Sequence, residues 1–257
     1  MISELGFFSP EAIESQRQIC VVYREVFEVS KQLSALLLRL LRDADLGPVS
    51  RRNTATTLNA LAAKSLELFQ SSLMLLERGC IPAAKVICRT LIETAYKLCA
   101  IQISPTAIDL YAQQARHTRL QKLKSIQKYK QKHENASVAT GIESEIQSLS
   151  TERPKKTEPH TWAALAKMED FHYFYYQGMS DDVHTNIESL NHYIEDTSTH
   201  LINFGPTDKD LTFVAIACQR TIVNAVEKYA QFLNIRVSTE LSLLNQKIDA
   251  LEDHGDG

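Results

Sequence analysis

The sequence predicts an all-α protein: a multi-helix bundle with a long N-terminal helix and a C-terminal helical tail. Three observations predict it. The 257 residues include only 8 glycines and 7 prolines, about half the usual frequencies of about 7% and 5%, so few positions serve tight turns. Apolar residues recur at alternating spacings of three and four, the period of one helix face. Most of the glycines and prolines fall between these periodic stretches, where helices stop. Glycine-rich phosphate loops and many-turned β sandwiches or barrels need more glycine than this.

The elements follow in order. Ser9-Pro10-Glu11 reads as a helix start, with serine as N-cap, proline at the first helical position and an acid in the first turn. A helix is predicted from there to about Asp45. Within it Ile19, Val22, Val26, Val29, Leu33, Leu36 and Leu40 form a heptad seam, which suits either core packing or a dimeric coiled coil. Gly47-Pro48 stops it. Leu58, Leu61, Ala62, Phe69, Leu73 and Leu76 then mark a second amphipathic helix that ends at Gly79. Pro82 opens a third, IPAAKVICRTLIETAYKLCAIQ, whose apolar residues cover roughly two-thirds of its circumference, so it is expected at the centre of the bundle. Ser104-Pro105 restarts the chain into a more polar fourth helix that breaks near Gly141. STERPKKTEPH, at about 150–160, is an exposed connector or loop. A last core helix is expected from about Lys209 to Ile235. Val237, Leu241, Leu244, Ile248 and Leu251 then repeat at heptad spacing in a tail too short to be stable alone. Residues 1–235 are thus read as one helical domain and 236–257 as a tail that docks on the body or on a partner.

A net charge of −3 gives no overall attraction for nucleic acid or acidic membranes, so any such contact needs a local patch. Five cysteines form no C-x-x-C pair and read as buried free thiols of a reducing cytoplasm. The most apolar run, Leu33 to Leu41, is interrupted by Arg39, and neither export nor a membrane span is expected.

Three constellations could carry chemistry. Lys85, Arg89, Glu93 and Lys97 stand at successive i, i+4 positions in the one polar sector of the third helix. On a surface helix this is a solvated ladder. On a central helix Arg89 and Glu93 need partners from other helices, as an ion pair or a polar pocket. His172, Tyr176, Ser180 and His184 form a second i, i+4 stripe if their segment is helical throughout, aligning a base with hydrogen-bond donors. Phe171, Tyr173, Phe174 and Tyr175 beside it look like packing, and Gly178 weakens the helix by about 1 kcal/mol relative to alanine. A bend or a close backbone approach is expected there. The third is RHTRLQKLKSIQKYKQKH, which has no acid and lines up Lys124, Lys128 and Lys132. It is either a solvated face or a phosphate-binding stripe. His184, His192 and His200 recur every eight residues and do not converge on a helix, so no metal is expected, and no cofactor. No G-x-S-x-G turn completes a hydrolase.

LLERGCIPAAKVICRTLIETAYKL, followed some distance on by YYQGMSDDVH, resembles a bacterial family of helical proteins, domain of unknown function fifty-six seventy-seven. The positions that carry the resemblance are Gly79, Ala84, Arg89, Thr90, Leu91, Glu93, Tyr176, Ser180 and His184. It covers roughly residues 70–200 together with the last core helix. The family is similar to the HEPN (higher eukaryote and prokaryote nucleotide-binding) bundles, many of them metal-independent ribonucleases of toxin and antiviral systems. Those act at a dimer interface through an arginine and a histidine four to six residues apart. Here no arginine lies at that distance before His184, and the one R-x6-H match, Arg153 to His160, falls in the connector.

The resemblance therefore implies a HEPN-like core and a metal-independent RNA-cleaving effector of a bacterial defence or toxin system. Its expected site is His184 as base, Arg89 from another helix on the phosphate and Glu93 orienting Arg89, with Tyr176 and Ser180 beside them. RNA is the expected partner, with a homodimer or a partner protein docking through the heptad helices. The alternative is a non-catalytic binding or adaptor module, in which an Arg-Glu-His network holds helices in register.

Overall fold

Ser9 caps the first helix through its hydroxyl, which accepts from the Ala12 N–H at 3.1 Å, and Pro10 takes the first helical position of α1 (Pro10–Val22). The structure is a computed structural model that describes residues 6–44, 54–104, 106–133, 140–180, 187–190, 193 and 204–254. The expected single helix to Asp45 is two helices. The backbone kinks at Tyr23 (φ −98°, ψ 26°), and α2 runs Arg24–Asp43. Helical bonds persist on either side, from Tyr23 N–H to Ile19 and from Phe27 N–H to Tyr23. The kink has a tertiary cause: Tyr23 donates its hydroxyl to Asp208 at 3.1 Å while Ile19 and Val26 both reach the core. Val22 is the seam residue lost, at 71% exposed.

α3 (Thr54–Glu77) ends in a Schellman turn, with Cys80 N–H bonding to Leu75 and Gly79 N–H to Leu76. Gly79 has φ +68°, and a Cβ there would lie 2.7 Å from the Thr207 nitrogen and 2.8 Å from its oxygen. Thr207 N–H in turn bonds to the Gly79 carbonyl at 3.2 Å. Glycine is required twice over, for the left-handed turn and for the strand of chain pressed against it.

α4 (Ile81–Ile103) is the central helix, as its apolar circumference predicts, and packs against α3, α5 (Ala107–His133), α7 (Pro159–Ala166) and α9 (Leu211–Leu233). α5 pairs antiparallel with α6 (Thr140–Glu152) through Arg119–Glu145 at 2.8 Å and Arg116–Glu152 at 3.0 Å. Only 153–158 of the expected connector lies outside helix. After α7 the chain makes one turn of α8 (Glu169–Phe171), a π turn at His172–Tyr176 and a 3₁₀ turn at Gln177–Met179. Gly47, Pro48 and Pro105 lie outside the described residues.

α10 (Ser238–His254) buries Leu241, Leu244 and Ile248 while packing against α9 and α2, and Val237 just before it is buried too. Five seam residues of α2 and α1 besides Leu40, namely Ile19, Val26, Val29, Leu33 and Leu36, are likewise buried. Both heptad faces are packed within one chain, which removes them as the docking surfaces expected for a partner. Gln219 of α9 ties the α2 side of the core by donating to the Val26 carbonyl and the Ser30 hydroxyl, both at 2.9 Å. Among the described residues there is no strand, and no helix is long and apolar enough to cross a membrane. Cys88, Cys99 and Cys218 are buried free thiols, whereas Cys20 and Cys80 are half-buried.

Gly79→Ala is expected to cost about 2 kcal/mol or more, from the left-handed turn and the clash with Thr207. A thermal melt should show Tm lower by roughly 4–8 °C; an unchanged Tm would mean that the 204–207 segment is not held there.

Candidate functional site

The polar stripe of α4 is not a solvated ladder. The side chains of Lys85, Arg89, Glu93 and Lys97 are only 15%, 17%, 28% and 18% exposed, so each takes a partner. Lys85 pairs with Asp210 at 2.9 Å. Glu93 is the hub: Arg89 Nη1 lies 3.3 Å and Lys97 Nζ 3.8 Å from its carboxylate, and the Tyr176 hydroxyl donates to it at 2.8 Å. Arg89 Nη2 donates to that same hydroxyl. The guanidinium also lies over the Tyr176 ring, 4.4 Å from its centroid, a desolvated cation–π contact.

The π turn delivers Tyr176 to this position. It sorts the aromatic run so that His172, Tyr175 and Tyr176 face inward, while Tyr173 and Phe174, read from sequence as packing residues, are 66% and 65% exposed. His172 stacks on Tyr176 with ring centroids 4.6 Å apart and planes at 19°. Gly178 makes no close approach: a methyl there would sit 3.7 Å from Phe213, ordinary van der Waals contact. The irregularity of this segment is the π turn itself.

These side chains form one wall of a cavity of about 560 Å³, lined also by Tyr96, Gln114, Trp162, Gln177 and residues 156–160. The connector, read from sequence as an exposed connector or loop, contributes residues 156–158 to that lining. His117 Nδ1, 3.0 Å from the Pro154 carbonyl, ties it to α5, and Lys156 pairs with Glu158 at 2.9 Å in an exposed contact. Burial pushes up the Tyr176 hydroxyl, with its bond to Glu93 adding to that, and burial pushes up Tyr96 likewise. Both phenols therefore stay protonated donors. Burial lowers Lys97, opposed by Glu93 and aided by Lys64.

Of the residues expected in the site, Arg89, Glu93 and Tyr176 meet. Ser180 does not join them; its hydroxyl donates to the Tyr176 carbonyl at 3.0 Å and it does not line the cavity. His184 lies outside the described residues, as do His192 and His200. Lys124, Lys128 and Lys132 are exposed and make no ion pair among the described residues. They stand about 15–27 Å further along α5 than Gln114, which lines the cavity. The basic run is less bare than its sequence implied, because α6 supplies carboxylates to Arg116 and Arg119. Tyr96 and Trp162 were not singled out, and His160 entered only as the R-x6-H match in the connector. A phenol three residues after Glu93 on the central helix, and a histidine beside a helix-starting proline, were the available signals. Among the described residues, no group of three His, Cys, Asp or Glu side chains could hold a metal.

Residues 56–201 match a family of unknown function, DUF5677, and since the match covers more than half of the chain, the protein belongs to that family. The matched stretch holds every cavity-lining residue but stops short of α9, which the resemblance had included. No curated protein and no solved structure matches the chain.

Burial lowers His172 below its ordinary value of 6.5, and His160 and then Arg89 lower it further. A base held low is neutral in the fold, so between its folded value and 6.5 the unfolded chain binds more protons and stability rises with pH. Stability should thus fall as pH drops through 6.5 toward the folded value, and His172→Gln should flatten that part of a Tm-against-pH curve. Parallel curves for the two proteins would show that His172 does not carry the dependence.

Proposed function

We propose that this protein is a metal-independent RNA-cleaving effector with a HEPN-like core, working in the cytoplasm of a bacterial defence or toxin system. One observation carries the reading: Arg89 is a largely desolvated cation on a cavity wall, held in orientation by Glu93 at 3.3 Å and by the Tyr176 ring at 4.4 Å. A fixed cation in a site screened from water stabilises the charge that builds on a phosphodiester far better than a solvated one.

In this reading His184 takes the proton of the ribose 2′-hydroxyl. The 2′-oxygen bonds to phosphorus, the bond to the 5′-oxygen breaks, and that oxygen leaves with a proton from water. Arg89 holds the phosphate, Glu93 orients Arg89, and Tyr176 supports both. Ser180 fixes the backbone just after Tyr176 and so positions the approach to His184. Lys124, Lys128 and Lys132 hold more distant phosphates, each adding to a salt-dependent affinity. A homodimer would use faces other than the two heptad seams.

The second reading is a non-catalytic adaptor, favoured by the mutual satisfaction of Arg89, Glu93 and Tyr176. It makes the network structural, so Arg89→Ala takes the nearer cation from Glu93, which keeps Tyr176 and Lys97, and costs about 1–3 kcal/mol. The two readings separate on one pair of measurements. With single-stranded RNA in EDTA, the protein should yield fragments ending in 2′,3′-cyclic phosphate, at a rate that His184→Ala lowers about 10²-fold or more without changing Tm. Intact RNA under all conditions, with a large loss of Tm in Arg89→Ala, would contradict catalysis and leave the adaptor.

A further inference from the structure

Four buried side-chain atoms have no hydrogen-bond partner among the described residues: Arg89 Nε, Tyr96 Oη, His172 Nδ1 and Gln219 Oε1. Gln219 lies in the core between α2 and α9, its amide nitrogen already bonded. The other three belong to side chains that line the cavity described above. They also cluster about one ring: Tyr176 lies 6.2 Å from Tyr96 and 4.6 Å from His172, centroid to centroid, with the Arg89 guanidinium 4.4 Å away. Tyr96 is 0% and His172 7% exposed, so bulk solvent does not reach them. Buried polar atoms without partners are uncommon, and three on one wall ask for a common explanation.

Their chemistry narrows it. An arginine Nε–H can only donate, a protonated phenol donates, and a neutral imidazole can carry its one N–H on Nδ1. Glu93, the nearby acceptor, is committed to Tyr176, Arg89 and Lys97. The lining carries three cations, Arg89, Lys97 and Lys156, against two carboxylates, Glu93 and Glu158. What completes the wall is an acceptor of several hydrogen bonds that brings negative charge.

We propose that Arg89 Nε, Tyr96 Oη and His172 Nδ1 form the seat of a tetrahedral oxyanion, the phosphate group of a phosphorylated ligand. Three donors match three oxygens of a phosphate, whereas a planar carboxylate offers two. The proposal rests on the reading above for its phosphate and adds Tyr96 and His172 as groups that touch it. All three atoms are screened from solvent, so a side chain turns as the ligand docks. Arg89, the least buried of the three at 17% side-chain exposure, is the one placed to do so, keeping its Glu93 contact as the orienting one while giving up the Tyr176 hydroxyl for the phosphate.

Tyr96→Phe separates a seat from a packing accident, because it removes one oxygen and keeps the shape. A hydroxyl that bonds to nothing can be removed without loss, so Tm in chloride buffer should hold or rise. Calorimetric titration with inorganic phosphate, adenosine monophosphate and a short RNA lacking a terminal phosphate should show binding to the wild type. Tyr96→Phe should weaken it about tenfold or more. Arg89→Lys, which keeps the charge but lacks Nε, should do the same. Binding of the RNA alone assigns the seat to a backbone phosphate, and binding of the two small probes to a free or terminal one. Equal phosphate affinity in wild type and Tyr96→Phe, or no binding of any probe, would overturn the seat. The cleavage assay above decides the RNA-cleaving reading separately, since RNA cut equally well by Tyr96→Phe would leave that reading standing.

Discussion

A row of charges on the central helix is the constraint around which the rest of the chain is arranged. α4 offers the core an apolar surface over most of its circumference, yet Lys85, Arg89, Glu93 and Lys97 leave one sector that cannot be buried against hydrocarbon. Removing one partner of a buried ion pair costs about 3–5 kcal/mol, so whatever covers this sector has to answer it group by group. Asp210, just before α9, answers Lys85, and Tyr176 answers Arg89 and Glu93 together. Two segments more than 80 residues beyond the stripe are thereby docked on one face of α4.

That requirement also explains the π turn. A regular helix from Glu169 onward would place residues at 100° steps, and one wider turn changes which of the successive aromatics face inward. Here it sends His172, Tyr175 and Tyr176 in and leaves Tyr173 and Phe174 out. π turns recur at functional sites, and this one sets a phenol against an arginine at the edge of a cavity. The result is a polar chamber beside an otherwise apolar bundle, lined also by a proline-bearing segment and the first turn of α7.

Much of the fold was legible because helices announce themselves locally. Glycine and proline positions, the Ser9 cap and the i, i+4 charges of α4 all follow from neighbours within a turn or two. The site was legible as far as Arg89, Glu93 and Tyr176, since charges on a central helix need partners. What escaped depends on distant contacts. The kink at Tyr23 answers to Asp208, 185 residues away. Ser180 was placed in the site by assuming an unbroken α-helical period, which the π and 3₁₀ turns interrupt. The connector read as exposed chain because its place in the cavity lining depends on where α5 and α7 bring it.

The central claim is that Glu93 and Tyr176 act as a coupled unit docking the π turn on α4. A double-mutant cycle tests it most directly: unfolding free energies from urea titrations of the wild type, Glu93→Gln, Tyr176→Phe and the double variant. The account predicts a coupling energy of about 1–2 kcal/mol. Losses that simply add, within about 0.5 kcal/mol, would contradict it.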